Sequence, residues 1–309
     1  MPSISELAEL IQDTNAALAA AERAIAETGP SWSFQVTVRS LEKRQRALEQ
    51  AFLEETERQG VDVCSYRVFT DAERPKALAV ARALESFQAL VSSMYGAIKD
   101  RRPRKTSRLS AEAAAESMFD FGYAFPGSVG FVLTIPNERL LFGGSDLDQS
   151  IERILEISQA ENPADIAKYA ETLGPAPIRA MYKWTEAHLA GSLGVDIQWR
   201  RALDVRTEVR LQVPQLAQLR TAIEATSIEE DSEVTLSAML RMFNADNRSF
   251  ALAFEGGDTI RGVLADDFQL KEPLRVPLRY TAWLTKKTKR HLSTDQEEVR
   301  WILNRLEPV

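Results

Sequence analysis

FDFGYAFPGSVGFVLTI, residues 119–135, places its large side chains on every second position: Phe119, Phe121, Tyr123 and Phe125, then Val129, Phe131, Leu133 and Ile135. Pro126-Gly127 separates the two runs. Proline presets φ at the first corner of a turn and glycine accepts positive φ at the second, so the stretch predicts an antiparallel hairpin. Side chains alternate across a strand, so all of these residues are expected on one face. A surface that aromatic needs a cover, and helix-like segments flank it on both sides.

Upstream, Ile4, Leu7, Ile11, Leu18, Ala21 and Ile25 recur at heptad spacing, with polar Thr14 the one break. This is the seam of a coiled coil or a long helical hairpin. Thr28-Gly-Pro-Ser31 stops the helix and offers Ser31 as the next N-cap. The following segment carries Leu41, Leu48 and Phe52 and closes at Gly60. Trp32, Phe34, Val36 and Val38 alternate like a strand, but a second helix antiparallel to the first is favoured, each about 35–40 Å long at about 1.5 Å per residue. Two helices this narrow bury little alone, so Ile4, Leu7, Ile11, Leu18, Ile25, Leu41, Leu48 and Phe52 are the expected oligomerisation face. The alternative is a hairpin folded back on its own chain.

VDVCSYRVF (61–69) predicts a strand. Glu73 and Pro75 then open a helix striped by Leu78, Val80, Ala81, Leu84, Phe87, Leu90, Val91 and Met94, expected to lie on the aromatic hairpin. Gly143-Gly144 breaks the chain, Ser145-x-x-Asp148 resembles a capping box, and Asn162-Pro163 and Pro177 start two further helices. Strands at 195–199 and 205–213 and a helix over 214–223 complete an α+β domain. Ile228-Glu-Glu-Asp-Ser-Glu233 reads as a solvated linker. Short strands follow at 234–243, 250–254, 260–264 and 276–288, with hairpin connections at 244–248 and 255–258. A last strand runs through Val299, Trp301 and Leu303, unless Thr294-x-x-Glu297 caps a helix. The predicted division is 1–59 helical hairpin, 60–226 α+β scaffold and 227–309 small barrel.

The pattern SFALAFEGGDTIRGVLADD (249–267), a basic strand, then VRWILNRLEPV (299–309) resembles the small SH3-like barrels that end many uncharacterised bacterial proteins. The resemblance covers the last quarter of the chain. It implies a binding or docking module, with nothing catalytic to carry over.

The 309 residues suit two or three domains. No run of about eighteen apolar residues predicts a membrane span, and MPSISELAELIQDTN lacks the basic start of a signal peptide. One cysteine, Cys64, excludes an internal disulfide and suits a reducing cytoplasm. It has no basic neighbour and sits in an apolar strand, so it reads as a packed thiol. The two histidines, His188 and His291, leave zinc and imidazole chemistry few ligands. Asp146, Asp148 and Glu152 fit a helix first turn better than a metal site. Asp258 with Gln269-x-Lys271 is a faint nuclease-like pattern in which glutamine replaces one acid. No phosphate-cradling glycine loop occurs. The sequence thus predicts no catalytic residue, cofactor or small-molecule substrate.

Against a net charge of −7, two basic runs stand out. Lys99, Arg101, Arg102, Arg104, Lys105 and Arg108 form one; Lys286, Lys287, Lys289 and Arg290 form the other. Either can neutralise phosphates without reading sequence. Three readings follow: a cytoplasmic, non-enzymatic bacterial protein that assembles through its helices as a homo-oligomer or on a protein partner and recognises a partner through its barrel; a nucleic-acid-binding accessory subunit of a multi-protein system such as phage defence; and, as a second alternative, a Mg²⁺-dependent nuclease acting through Asp258 and Lys271.

Overall fold

Val61–Phe69 is the centre of the first of two units, and its alternation explains what surrounds it. The computed structural model describes residues 2–29, 31–72, 74–106, 108–125, 129–137, 144–201, 204–254, 258–269, 273–294 and 296–309. Pro126-Gly127, Gly143, Glu73, the glycines of 255–257 and Lys271 fall outside them. The units are Met1–Ala225 and Thr226–Val309.

In the first unit, β1 (Val61–Phe69) pairs antiparallel with β3 (Val129–Pro136) and with β4 (Gly194–Arg201). The strand β2 (Asp120–Phe125) adds beyond β3 and β5 (Asp204–Leu211) beyond β4, giving the antiparallel order β2-β3-β1-β4-β5. Asp62, Cys64, Tyr66 and Val68 point to one face of β1, while Val63, Ser65 and Arg67 point to the other.

The first face is covered by α3 (Ala77–Asp100) and α7 (Pro175–Ala190), which pack on each other. The Tyr66 and Phe87 rings lie 4.5 Å apart, Phe87 stacks on Phe119 at 5.9 Å, and Trp184 stands 6.5 Å from Phe87. On α3 the expected stripe is buried at Val80, Phe87, Leu90, Val91 and Met94, but Leu78 and Ala81 are exposed and Ala83 takes a buried place instead. Around them sit α4 (Ala111–Glu116), α5 (Asp146–Ser158), α6 (Pro163–Leu173) and α8 (Val213–Glu224). Ser145 and Asp148 complete the predicted capping box, and Asn162 caps α6. The third helix starts at Pro175, two residues before the expected proline.

The second face is covered by α1 (Ile4–Thr28) and α2 (Trp32–Gln59). Leu7, Ala8, Ile11 and Phe52 share a core with Val63, Tyr123 and Val132. The ambiguous start of α2 is helical because Ser31 accepts from Phe34 N at 3.3 Å. Thr14, the break in the heptads, is buried with its hydroxyl donated to Leu10 O at 2.7 Å.

The expectation that the aromatic hairpin faces one way fails at a single residue. Pairing runs Phe121↔Leu133 and then Tyr123↔Val132, so Gly122 is bulged. The extra residue turns Tyr123 and Phe125 to the α1–α2 side, while Phe119, Phe121, Phe131 and Leu133 stay on the other. A Cβ at Gly122 would stand 2.9 Å from Val132 O, so glycine is what lets the bulge close against β3.

The second unit is a closed five-stranded barrel, compatible with the SH3-like resemblance. Its strands are β6 (Ser227–Asn244), β7 (Ser249–Ala253), β8 (Thr259–Leu264), β9 (Leu278–His291) and β10 (Glu297–Pro308). The order is β10-β8-β7-β6-β9, antiparallel except for β8 with β10. Leu240, Phe250, Leu252, Tyr280, Ala282, Leu284 and Leu303 fill it. The last segment is a strand, not a helix. The acidic stretch 228–233 is likewise no linker: it is the first part of β6, paired in continuous register with the basic part of β9. Opposite charges facing across two strands stabilise what an isolated acidic run would not.

The Phe52 ring is fully buried and meets Tyr123 edge-on at 5.3 Å. Phe52→Ala is expected to cost about 3–5 kcal/mol in urea unfolding, a loss that a helical hairpin independent of the sheet would not show.

Candidate functional site

The α1–α2 pair divides along its length. On α1 the buried residues end at Leu18, and on α2 they begin at Phe52. Residues 19–28 and 32–47 therefore form an arm extending at least about 15 Å past the sheet-packed part, at about 1.5 Å per residue. The expected oligomerisation residues split along this line: Leu7, Ile11, Leu18 and Phe52 are buried and half-buried Ile4 and Leu48 pack on the same core, whereas Ile25 and Leu41 lie half-buried on the arm. Trp32 is 80% exposed and Val36 46%. Heptad spacing identified the seam between the helices but missed this outward side.

The outward side of α2 has a pattern of its own. Trp32, Val36, Arg39, Lys43 and Arg46 recur at intervals of three and four, so they share one stripe, and Gln50, Glu54 and Glu57 continue it. All are exposed. The stripe is apolar at its start, basic in its middle and acidic at its end. Arg39, Lys43 and Arg46 make no ion pair among the described residues.

The first basic run is partly structural. Lys99 Nζ lies 2.5 Å from Glu116 and 3.2 Å from Glu112, and these carboxylates hold its ammonium pKa above the usual range. Arg104 donates from Nη1 to Asp100 at 2.7 Å and from Nη2 to the Arg108 carbonyl. Its backbone N donates to Leu173 O at 2.8 Å, and its carbonyl accepts from Ala176 N at 3.0 Å. Gly174 permits this approach, since a Cβ there would fall 2.2 Å from Arg104 N. Arg101, Arg102, Lys105 and Arg108 are exposed on the loop.

The second run lies in the middle of a ladder. Lys287 faces Asp231 on β6 at 3.3 Å, Arg290 pairs with Glu297 on β10, and Lys286 sits over the Trp301 ring. Acids on both sides, Asp231 on β6 and Glu297 on β10, offset part of this basic strand. The two runs belong to different units.

Residues with chemical potential are satisfied internally. Cys64 is fully buried, and burial pushes its thiol far up. A cavity of about 670 Å³ is lined in part by Tyr95, Lys99, Glu116, Asn137 and Asp146. Burial, then the Glu116 carboxylate accepting its proton at 2.8 Å, push Tyr95 up to about 12. Tyr95 is thus protonated and Lys99 charged at neutral pH, so neither supplies a base there. Asp148 is a buried helix cap: its carboxylate accepts from Ser145 N at 3.0 Å and from Asn137 Nδ2 at 3.2 Å, and the same amide nitrogen donates to Asp62 at 2.6 Å.

His188 is buried in the α7 face of the core. Its Nδ1 donates to Leu193 O at 3.2 Å, leaving Nε2 to accept from the Tyr66 hydroxyl at 2.6 Å; Trp184 Nε1 donates to that hydroxyl at 3.0 Å. Burial lowers its pKa to about 4. It is a neutral structural imidazole joining helix to strand.

Among the described residues no helix is long and apolar enough to cross a membrane. Comparison of the chain with family models, curated proteins and solved structures finds no match.

The His188 linkage has a defined sign. A folded pKa of about 4 against 6.5 in the unfolded chain means that only the unfolded state takes up this proton between those values. Stability from this group is complete above pH 6.5 and falls by about 3 kcal/mol as pH drops to 4. Urea unfolding of wild type and His188→Gln at both ends of that window should show this part of the pH slope in the wild type alone.

Proposed function

We propose that this chain is a non-enzymatic binding protein that assembles through its helical arm and recognises a partner through its barrel. One observation carries the reading: the arm at 19–47 reaches past the core of its own unit with Trp32 80% exposed at its tip. A large exposed aromatic is a common anchor in interfaces.

The occupant that fits is a second copy. A twofold axis lays two α2 helices antiparallel, with the same patch contributed by each. The basic residues Arg39 and Lys43 then meet Glu57 and Glu54 of the other copy. Each exposed pair adds only about 0.2–1 kcal/mol, so the charges set register; this register carries Trp32 and Val36 to the far end of the other copy's α2, around Gly60, where they supply the apolar contact. Support for a binding role over catalysis is that Cys64, Tyr95, Lys99 and His188 are each held by burial or by internal partners. Contact with nucleic acid has less support, since the basic strand is offset by its neighbours; it rests on Arg101, Arg102, Lys105 and Arg108.

Deleting residues 1–59 would remove part of the core, so point changes on the arm are the proper test. Light scattering after size exclusion should show a concentration-dependent dimer. Trp32→Ser with Val36→Ser should return it to monomer without altering the melting temperature. Arg39→Glu with Lys43→Glu should do the same, and mixing that protein with Glu54→Lys/Glu57→Lys should restore a heterodimer. A wild type that stays monomeric at every concentration would refute self-assembly.

A further inference from the structure

Strand β6 is longer than its partners on one side. It pairs with β9 along residues 227–240, but with β7 only along 239–244. Residues 227–238 therefore present a row of backbone N–H and C=O groups that no strand among the described residues meets. Glu229–Glu233 is exposed on both faces, so solvent reaches this edge.

The side chains along the edge define what it accepts. Glu229, Asp231 and Glu233 share one face, with Glu230 on the other. Of the β9 cations, Arg290 turns to Glu297 and Lys286 to the Trp301 ring, while Lys287 reaches Asp231 and Lys289 stands across the ladder from Glu229. The carboxylates of Glu229 and Glu233 make no ion pair within 4.0 Å among the described residues, and Glu233 faces only Thr285. The edge thus stays acidic after its own basic neighbour is in place.

We infer that the outer edge of β6, along residues 227–238, captures an extended basic segment of a partner protein by strand addition. Backbone hydrogen bonds supply the affinity and alternate Lys or Arg side chains the selectivity. A second copy is a poor occupant: antiparallel pairing centred on Asp231 sets Asp231 against its own equivalent and Glu229 against Glu233. Like charges directly opposite are destabilising, which is how edges avoid pairing with themselves. Nucleic acid is repelled by the same charges. The strand β9 shows the matching pattern, since Thr285, Lys287 and Lys289 already face Glu233, Asp231 and Glu229 across the ladder. The inference gives the barrel half of the proposed function a defined partner chemistry. It does not involve the arm, so dimer loss and peptide loss are separable results.

The probe is a synthetic peptide, LTKKTKRH, copying residues 284–291, titrated into the full chain with fluorescence anisotropy as readout. Binding is expected, about tenfold weaker when salt rises from about 50 mM to about 500 mM. It should disappear with Glu229→Lys/Glu233→Lys, whose exposed positions leave the fold intact by circular dichroism. A peptide N-methylated at alternate residues keeps every charge but cannot form the ladder, and it should fail to bind. No binding of the unmodified peptide at low salt would overturn the inference, because the acids would then serve only to guard the edge. Equal binding of the N-methylated peptide would overturn it too, as attraction without strand addition.

Discussion

The first unit depends on the burial of β1 from both sides. Cys64, Tyr66 and Val68 need cover on one face and Val63 on the other, so a single layer of helices is not enough. α3 and α7 close the first face, and the sheet-packed part of α1 and α2 closes the second. The hydrophobic gain sets this arrangement; the polar groups drawn in with it are then matched locally, as with Tyr66, His188 and Trp184. This requirement also explains why half of the helical hairpin is committed to the core. Only the remainder is available to another molecule.

The barrel answers to an electrostatic constraint as well as an apolar one. Leu240, Phe250 and Leu284 hold its closed part, but beyond them β6, β9 and β10 continue as a three-stranded ladder. There the acidic run of β6 and the two acids that open β10, Glu297 and Glu298, flank the basic run of β9, while Arg300 of β10 lies opposite Lys287. Charge runs that look like binding surfaces in isolation become each other's partners. What remains uncompensated lies at the outer edge of β6, where it governs what can approach.

A good deal of this was legible beforehand. Alternation marked the hairpin and the barrel strands, heptads marked α1, and Ser145-x-x-Asp148 and Asn162-Pro163 marked helix starts, because each depends on neighbours within a few residues. The bulge at Gly122 was not legible, since it shows only in the register in which β2 pairs with β3. Nor was the role of Arg104, whose backbone partners are Leu173 and Ala176. Leu7 and Phe52 looked like residues for another molecule because the face they pack on is assembled from β1, β2 and β3.

By itself, then, the sequence determined the kinds of element, their order, the mixed α+β class and the closing barrel, all consequences of local periodicity and turn chemistry. Tertiary structure alone decided which apolar residues are spent inside and which charges are already paired. Those outcomes depend on groups far apart in the chain, and the pairing of Glu229–Glu233 with a strand more than fifty residues later is the plainest instance.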